Sequence, residues 1–373
     1  MEPEKFQSIY KHQKTNKIFL MKYLNRKVLI TLLSIFSYSY ISAQQGQNII
    51  KNKIDSLLDT ETIKPFNGVI LVSLNGKNLY LNTKGYSNLK YKTPLKTDDQ
   101  FISGSIGKQF TSALVLQAYE NNLLAMDVPI RKYLPELSQS WKDTITIKLL
   151  LNHTSGIEAL DKPTLFVPGT QFDYSHSTVT YDLLAKILEK LYHKSFAEIT
   201  AALFQKCGMK DTYHPDIKKY TKLTTPYTEN KNGQLDIETN SFMYSHAPAG
   251  GSFITTALDL GKWNQLYFEG KLLKKKTMEQ LFTKQKNSVR NHPVFGLTEY
   301  GLGITIDTSD NLLMAGQTGF VPGFVTENYY FPKNHVGVTV LSNVDYNSGG
   351  FKESFRYHTA ILNIVRKYLQ HKK

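Results

Sequence analysis

Apolar side chains in the first third of the chain recur with two periods. At residues 49–58 and again at 109–119 they recur at helical spacing. Between these stretches lie two strand-like runs, residues 68–74 and 78–81, which Asn75-Gly76 separates. An Asn-Gly pair between two such runs favours a tight β-hairpin. This part of the chain therefore predicts a helix, a hairpin and a second helix.

The rest of the chain changes from helical to strand-like spacing. Helical periodicity dominates residues 148–194, with loops rich in Pro, Gly, Ser and Thr between, and strand-like segments return after about Ala249. These segments are 302–306, 325–331 and 336–341. An amphipathic helix is predicted at 351–368. Three segments carry no readable pattern and are assigned to loops, namely 158–167, 225–247 and 284–299.

The order of strands, helices and strands predicts the fold class. It favours an α/β (α+β) fold in which helices flank a mainly antiparallel sheet and a mainly helical region is inserted into the chain. Residues 48–110 together with 249–370 would form the sheet part, and residues 111–248 the insertion. A chain of 373 residues can bury a substantial core. We expect residues 44–373 to form one domain.

The first 43 residues have the pattern of a secretory signal peptide. Lys22, Arg26 and Lys27 precede an apolar run at 28–41, which ends in small residues before Gln44. The run is short for a membrane span. We expect residues 1–43 to be removed and the mature protein to be exported, periplasmic or secreted, with no stable membrane span. An uncleaved anchor is the alternative.

Composition and charge exclude several classes of protein. Hydrophobic residues make up 41% of the chain, which excludes a wholly disordered one. One cysteine excludes an intrachain disulfide framework, and the ten histidines have no metal-ligand spacing. The net charge of +14 lies partly in the leader and is otherwise spread along the chain. We therefore expect no metal, no cofactor and no nucleic-acid partner.

One short motif carries chemistry. Ser105 and Lys108 stand three residues apart at the start of the second predicted helix, so their side chains would share a face. A lysine whose pKa is lowered by burial can accept the serine's proton. The pattern alone is weak, because Ser8 and Ser87 are also followed by a lysine three residues later. Taken by itself, Ser105 could equally be a helix-capping serine.

The surroundings of Ser105 resemble a known family. Phe101-Ile-Ser-Gly-Ser-Ile-Gly-Lys-Gln-Phe-Thr-Ser-Ala is similar to the nucleophile segment of the serine β-lactamase and penicillin-binding-protein superfamily. The branch in question contains class C β-lactamases, D-alanyl-D-alanine carboxypeptidases, D-aminopeptidases and esterases. Further segments match in the family's order, and the resemblance as a whole covers nearly all of 48–368. They are 145–157, 168–176, 249–260, 300–303 and 316–324, continuing to Leu341-Ser-Asn343.

The resemblance implies a β-lactamase/transpeptidase-like fold and a set of catalytic residues. Ser105 would be the acylated nucleophile, Lys108 its proton acceptor, and Tyr174 a relay to the leaving group. The backbone N–H groups of Ser105 and Phe320 would form the oxyanion hole. A desolvated lysine–tyrosine pair is chemically suitable, because the lysine charge favours the phenolate and desolvation disfavours the charged lysine.

The same resemblance implies a substrate-binding set and shows two departures. His176, Gln317, Thr318 and Gly319 occupy the binding positions. His176 stands where the family usually has Asn, and Gln317 where it has Lys or His. A neutral residue at 317 weakens the case for substrates that end in a free carboxylate. Esters and other amides are favoured instead.

The sequence thus predicts an exported serine hydrolase of the bacterial envelope. It would form a covalent acyl-enzyme with a small-molecule or peptide substrate, an ester or an amide, including cell-wall-related ones, and need no cofactor. Two alternatives remain open: an inactive binding or structural relative, and a true β-lactamase or D-Ala-D-Ala carboxypeptidase. A G-x-S-x-G elbow is disfavoured because the segment before Ser105 is a poor buried parallel strand. Oligomeric state is not predicted.

Overall fold

The structure, a computed structural model, describes residues 47–217, 220–239 and 248–371. The predicted signal peptide lies outside these residues and stays a prediction. Within the described residues, no helix is both long enough and apolar enough to cross a membrane.

Nine helices and fifteen strands are found in the described ranges. The helices are α1 (47–59), α2 (Lys108–Glu120), α3 (Ile147–Leu151), α4 (Ser177–Tyr192), α5 (Phe196–Lys206), α6 (Ala257–Phe268), α7 (Lys275–Leu281), α8 (Phe351–Ser354) and α9 (Arg356–His371). The strands before α6 are β1 (Gly68–Leu74), β2 (Lys77–Lys84), β3 (Tyr86–Asn88), β4 (Thr93–Pro94), β5 (Phe101–Ile102), β6 (Tyr227–Glu229), β7 (Leu235–Ile237) and β8 (Ile254–Thr255). Those after α7 are β9 (Val289–His292), β10 (Gly296–Tyr300), β11 (Thr305–Asp307), β12 (Met314–Val321), β13 (Phe324–Phe331), β14 (Val336–Ser342) and β15 (Val344–Asp345).

Eight strands form the main sheet in the order β2-β1-β14-β13-β12-β11-β10-β9, and every neighbouring pair is antiparallel. The predicted hairpin is confirmed, since β1 and β2 pair around Asn75 and Gly76. Both of these residues have positive φ, 50° and 74°. A two-residue turn with both φ values positive matches the twist of the strands that it joins.

Helices cover both faces of this sheet. Strands β1, β13 and β14 are buried almost throughout, so neither face is left to solvent. Val69 and Leu71 join the main hydrophobic core, to which α6 also belongs, and Gly261 of α6 lies against Leu71. On α9, His358 contacts the carbonyl oxygen of Val325 through Nε2 at 3.0 Å. The predicted antiparallel sheet with flanking helices is therefore confirmed.

Local structure differs from the sequence-based expectation in three places. Helical periodicity with intervening loops was expected in 148–194, and residues 152–176 form one long irregular loop between α3 and α4 that extends beyond the predicted loop 158–167. Residues 284–299, expected to be a loop, contain β9 and most of β10 as a hairpin. In 225–247, β6 pairs with β7 and also with β15. These strands are short and rich in polar residues, so their sequences carry little hydrophobic alternation.

Candidate active site

Ser105 lies in a short 3-10 turn, Gly104–Gly107, that leads directly into α2. The α-helix begins at Lys108, close to the predicted 109–119, and Ser105 lies in the turn before it. In a 3-10 turn the side chains at i and i+3 eclipse each other, which still brings Ser105 beside Lys108. Ser103, the residue before this turn, has both its backbone N–H and its backbone carbonyl hydrogen-bonded. Its N–H donates to the Phe253 carbonyl at 2.7 Å, and its carbonyl accepts from Thr326 Oγ1 at 2.7 Å.

Two glycines let this turn lie directly against β12. Gly104 has a φ of +52°, and a methyl group there would lie 2.5 Å from the backbone nitrogen of Phe320. A methyl group at Gly319 would lie 2.1 Å from the Ser103 carbonyl oxygen. Neither position can take a larger side chain without displacing backbone. The close approach brings the backbone N–H of Phe320 next to the Ser105 turn, as the predicted oxyanion hole requires.

Lys108 is buried, with 2% of its surface exposed, and it faces the serine. Its Nζ lies 3.1 Å from Ser105 Oγ and donates to the Gly250 carbonyl at 2.7 Å. Burial lowers the pKa of Lys108, and the charge of Arg290 adds to this effect, while the neighbouring Tyr174 opposes it. A lysine with a lowered pKa can be neutral and accept the proton of the serine.

Tyr174 projects from the irregular loop before α4. Its neighbour Asp173 fixes the loop: the Asp173 N–H donates to the His153 carbonyl at 2.8 Å, and Oδ1 accepts from the Ser175 N–H at 2.8 Å. The Tyr174 ring lies 4.9 Å from Lys108 Nζ. Ser105, Lys108 and Tyr174 are therefore brought together, although 66 residues separate the tyrosine from the lysine in sequence.

Gln317 holds the hydroxyl end of Tyr174. Its Nε2 donates to Tyr174 Oη at 2.5 Å and to Tyr300 Oη at 3.3 Å, and its Oε1 accepts from Thr305 Oγ1 at 2.8 Å. The side chain has no exposed surface. Both ends of the amide are thus engaged by protein groups, and Gln317 orients the tyrosine.

A second cation, Arg290 of β9, stacks on the opposite wall of the site. Its Cζ lies 3.8 Å from the centroid of the Tyr174 ring, within the range of a cation–π interaction. Burial alone would raise the pKa of Tyr174, but the charges of Lys108 and Arg290 and the hydrogen bonds with Ser105 and Lys108 outweigh burial. The pKa of Tyr174 is lowered as a result.

A cavity of about 730 Å³ opens beside Ser105. Its lining residues are Ser105, Phe172, Asp173, Tyr174, Ser175, Ser177, Val289, Arg290, Asn291, His292, Pro293, Val294, Thr318, Phe320, Phe351 and Phe355. Thr318 and Phe320 line it, whereas the alternate residues Gln317 and Gly319 do not, as expected for alternating side chains of a strand. The cavity is therefore a cleft with aromatic walls and one buried arginine.

His292 orients the hydroxyl of Thr318. Its Nδ1 accepts from the Val294 N–H at 3.1 Å and the Phe295 N–H at 3.3 Å. The other ring nitrogen, Nε2, therefore carries the proton and donates to Thr318 Oγ1 at 2.9 Å. Burial lowers the pKa of His292 to about 3, with a smaller effect from Arg290. The imidazole is thus neutral at physiological pH.

His176, like Lys108, Gln317 and Gly319, is a predicted site residue that lies outside the cavity lining. It caps the start of α4, and its Nδ1 lies 2.7 Å from Asp173 Oδ2, with 35% of the side chain exposed. The carbonyl of Gly250 holds Lys108 instead. The family's usual Asn at this position would be expected to contact the lysine, so this departure changes how the lysine is held.

Sequence reasoning missed four residues around Tyr174. Arg290 and His292 lie on the β9–β10 hairpin in a segment assigned to a loop, and His153 and Tyr300 pack on the tyrosine, with ring centroids at 4.8 and 6.2 Å. In the structure Arg290 and His292 alternate with exposed residues, as one face of a strand does, but four residues are too few for this alternation to be read from the sequence. Among the described residues, no group of three His, Cys, Asp or Glu side chains could hold a metal ion.

The fold and the Ser–Lys–Tyr cluster define the class of protein as a serine hydrolase fold with an antiparallel sheet and a cleft at the nucleophile turn. The model of the Beta-lactamase family matches residues 60–362. The chain therefore belongs to the beta-lactamase family, which confirms the resemblance seen in the sequence. A penicillin-binding protein and an esterase are among its relatives in sequence.

Three relatives illustrate this range. A penicillin-binding protein of Bacillus subtilis (strain 168) is 24% identical over 348 residues, covering 82% of this chain and 72% of its own. The D-amino acid amidase of Ochrobactrum anthropi SV3, complexed with L-phenylalanine amide, superposes with a TM-score of 0.74 at 19% identity, covering 85% of this chain and 99% of its own. EstCE1, a hydrolase with promiscuous acyltransferase activity, superposes with a TM-score of 0.69 at 18% identity, covering 87% of this chain and 99% of its own. The two structural likenesses show the fold alone.

Proposed function

We propose that this protein is a serine hydrolase that cleaves an ester or amide through an acyl-enzyme on Ser105. The observation that carries the proposal is the buried Lys108, whose Nζ lies 3.1 Å from Ser105 Oγ beside Tyr174. A helix-capping serine needs no buried lysine or second base. A nucleophile needs an adjacent proton acceptor. The two candidates for this role, Lys108 and Tyr174, both have pKa values lowered by their surroundings.

The reaction follows from these positions. Ser105 Oγ attacks the carbonyl carbon, and its proton passes to the Lys108–Tyr174 pair. The carbonyl oxygen becomes an oxyanion next to the N–H groups of Ser105 and Phe320. When the carbon–oxygen or carbon–nitrogen bond breaks, the leaving alcohol or amine takes the proton from Tyr174. Water then attacks the acyl-enzyme, gives its proton to the same pair, and releases the acid with Ser105 restored.

The walls of the cavity favour a substrate with an apolar or aromatic group. Phe172, Phe320, Phe351 and Phe355 line it, and Phe320 packs on Phe351 with ring centroids 4.9 Å apart. Because Gln317 is neutral and engaged by Tyr174 and Thr305, it offers no cation to a substrate carboxylate. These features support uncharged esters and amides, with the relatives' amidase and esterase members as the nearest analogies.

A second candidate, a β-lactamase or D-Ala-D-Ala carboxypeptidase, is favoured by one observation. Arg290 lines the same cavity, and its buried Nη1 has no hydrogen-bond partner. A guanidinium in the wall of the cavity is a suitable group to bind a substrate carboxylate. Turnover of a chromogenic cephalosporin or of a D-Ala-D-Ala peptide in preference to a neutral ester would favour this candidate.

The decisive experiment is turnover of a short-chain p-nitrophenyl ester by the full chain and by Ser105→Ala. We expect Ser105→Ala to lower kcat/KM by at least about 1000-fold with unchanged folding, because a positioned nucleophile acts as a unit with its base. Ser87→Ala is the matched control, since Ser87 belongs to the accidental match of the same motif and lies in β3. Turnover that survives in Ser105→Ala would overturn the mechanism, and a folded wild type without turnover would favour an inactive relative.

Export is a separate part of the proposal and is supported by the pattern of residues 1–43. We propose that a bacterial host exports the protein and removes this leader. Mass spectrometry of the protein from envelope and medium fractions tests this point. A chain that begins near Gln44 supports cleavage, whereas an intact leader in the membrane fraction supports the uncleaved anchor.

A further inference from the structure

The neutral residue at position 317 leaves the tyrosine without a cation on β12. Arg290 reaches Tyr174 from another strand. β9 pairs with β10, where Arg290 lies opposite Thr298, and the hairpin continues the main sheet beyond β11. The sheet therefore fixes the backbone from which the arginine projects.

The contacts of Arg290 are those of a cation directed at an aromatic ring. Its Cζ lies 3.8 Å from the ring centroid of Tyr174, and only 8% of the residue is exposed. Among the described residues, no carboxylate forms an ion pair with it within 4.0 Å, and its Nη1 has no partner. A buried guanidinium that no carboxylate neutralises acts at full charge on the group it touches.

The buried histidine and tyrosine side chains around Tyr174 are neutral. Burial lowers the pKa of His153 well below its usual value and that of His292 to about 3. Burial raises the pKa values of Tyr181 and Tyr300 well above the usual range, and both stay protonated. On the loop itself, Asp173 contacts His176. Lys108 and Arg290 are therefore the cations that act on Tyr174 among the described residues.

We propose that Arg290 is a positioning residue for Tyr174. The guanidinium of Arg290 supplies from β9 the positive charge that position 317 lacks. The role rests on the proposed function, in which Tyr174 accepts and returns a proton. A cation on the ring face favours the phenolate, so it keeps the tyrosine a competent base at neutral pH. The same charge disfavours protonation of Lys108, which acts in the same direction.

The sign of the pH dependence follows. Activity that needs the deprotonated pair rises with pH through the pair's apparent pKa. Removing the Arg290 charge raises that apparent pKa, so the acid limb of kcat/KM moves to higher pH. A charge within about 4–6 Å shifts a pKa by roughly one to three units. In Arg290→Met we expect the acid limb of the kcat/KM profile to move by at least about one pH unit. At pH values on the acid side of this limb, kcat/KM should therefore be about tenfold or more below that of the wild type.

The test compares four variants and one control by the pH profile of ester turnover and of Ser105 labelling by a fluorophosphonate. Arg290→Met should shift the acid limb, and Arg290→Lys should keep most of the wild-type profile. Gln317→Lys places a cation beside the Tyr174 hydroxyl. In the double variant Arg290→Met with Gln317→Lys, the limb should return toward its wild-type position. Arg131→Met is the control, since Arg131 is exposed and pairs with Asp143.

Two carboxyl groups near the site need their own controls. Burial raises the pKa of Asp182 on α4 to about 6 and that of Glu327, opposite Thr318 on β13, to about 8. The shift caused by Arg290→Met should persist in Asp182→Asn and Glu327→Gln backgrounds. A shift that vanishes in either background would assign the limb to that carboxyl and overturn the proposal.

Failure of the inference is distinguishable from failure of the proposed function. If turnover and labelling fall in Arg290→Met while the pH profile is unmoved, Arg290 has a structural or substrate-binding role. If the wild type shows neither turnover nor labelling, the proposed function fails. The phenolate absorbance that disappears in Tyr174→Phe then still measures the pKa of Tyr174, and an unchanged value in Arg290→Met would overturn the inference.

Discussion

Two walls of the same cavity were built in different ways. One wall is the Ser105 turn with α2, where serine and lysine are three residues apart and local helical geometry places them 3.1 Å from each other. The other wall is the β9–β10 hairpin, whose Arg290 meets Tyr174 only because a sheet strand and a distant loop come together. Chemistry encoded locally leaves a motif in the sequence, whereas chemistry assembled by long-range packing does not.

The two walls also differ in how they treat charge. Lys108 is held by a serine hydroxyl and a backbone carbonyl, so its proton can move within a closed hydrogen-bond network. Arg290 keeps a buried Nη1 without a partner, and a guanidinium cannot give up its proton. The wall with Ser105 and Lys108 therefore moves protons, whereas the wall with Arg290 supplies a positive charge that does not change. Substitutions on the first wall should abolish the reaction, and those on the second should tune it.

The largest effect expected after loss of the nucleophile is that of Lys108→Met. Methionine fills the buried space without a base, so kcat/KM for the ester should fall about 1000-fold. Lys90→Met is the matched control, because Lys90 completes the accidental Ser87 motif and is exposed. Both variants should unfold near the wild-type temperature. A loss of less than about tenfold would show that Tyr174 alone serves as the base.

A smaller effect is expected from His292→Ala on the hairpin wall. The substitution removes the hydrogen bond that orients Thr318 Oγ1 and the two backbone contacts of the turn after β9. One such bond is worth about a factor of ten, which should appear mainly as a raised KM. The pH profile should keep its wild-type limbs, since the pKa of His292 lies at about 3.

The Thr318→Val variant tests whether this pair acts as a unit. The double variant of His292→Ala with Thr318→Val should be no worse than the poorer single variant, because both remove the same bond. Fully additive losses would show that the two side chains contact the substrate independently, and the orienting role assigned to His292 would be wrong.

The fold was largely predictable because its main signals are local. The Asn75-Gly76 hairpin, the helix after Ser105 and the strands β13 and β14 all lie where hydrophobic spacing put them. Their runs are apolar and long enough for periodicity to be visible. The order of these elements was then sufficient to predict an antiparallel sheet with flanking helices.

The site was predictable only where its residues lie in matched segments. Ser105 and Lys108 were named from their spacing and the family resemblance, Tyr174 from the resemblance alone, and the structure brings the three together. Arg290 and His292 were missed because β9 has four residues, too few for a periodic signal, and because strand pairing determines which loop they face. Whether Gln317 meets a substrate or another side chain is likewise decided by packing, here by Tyr174 and Thr305.

The smallest effect is expected from His176→Ala, although the sequence placed His176 in the binding site. The side chain lies outside the cavity lining and pairs with Asp173 at a partly exposed position. A partly exposed pair contributes little, so kcat/KM should change by less than about threefold. His371→Ala, an exposed histidine at the end of α9, gives the background for such a change. A motif residue would then matter less than Arg290 and His292, which no motif marks. A tenfold or larger loss in His176→Ala would reverse that ranking and place the imidazole in contact with Lys108 or the substrate during turnover.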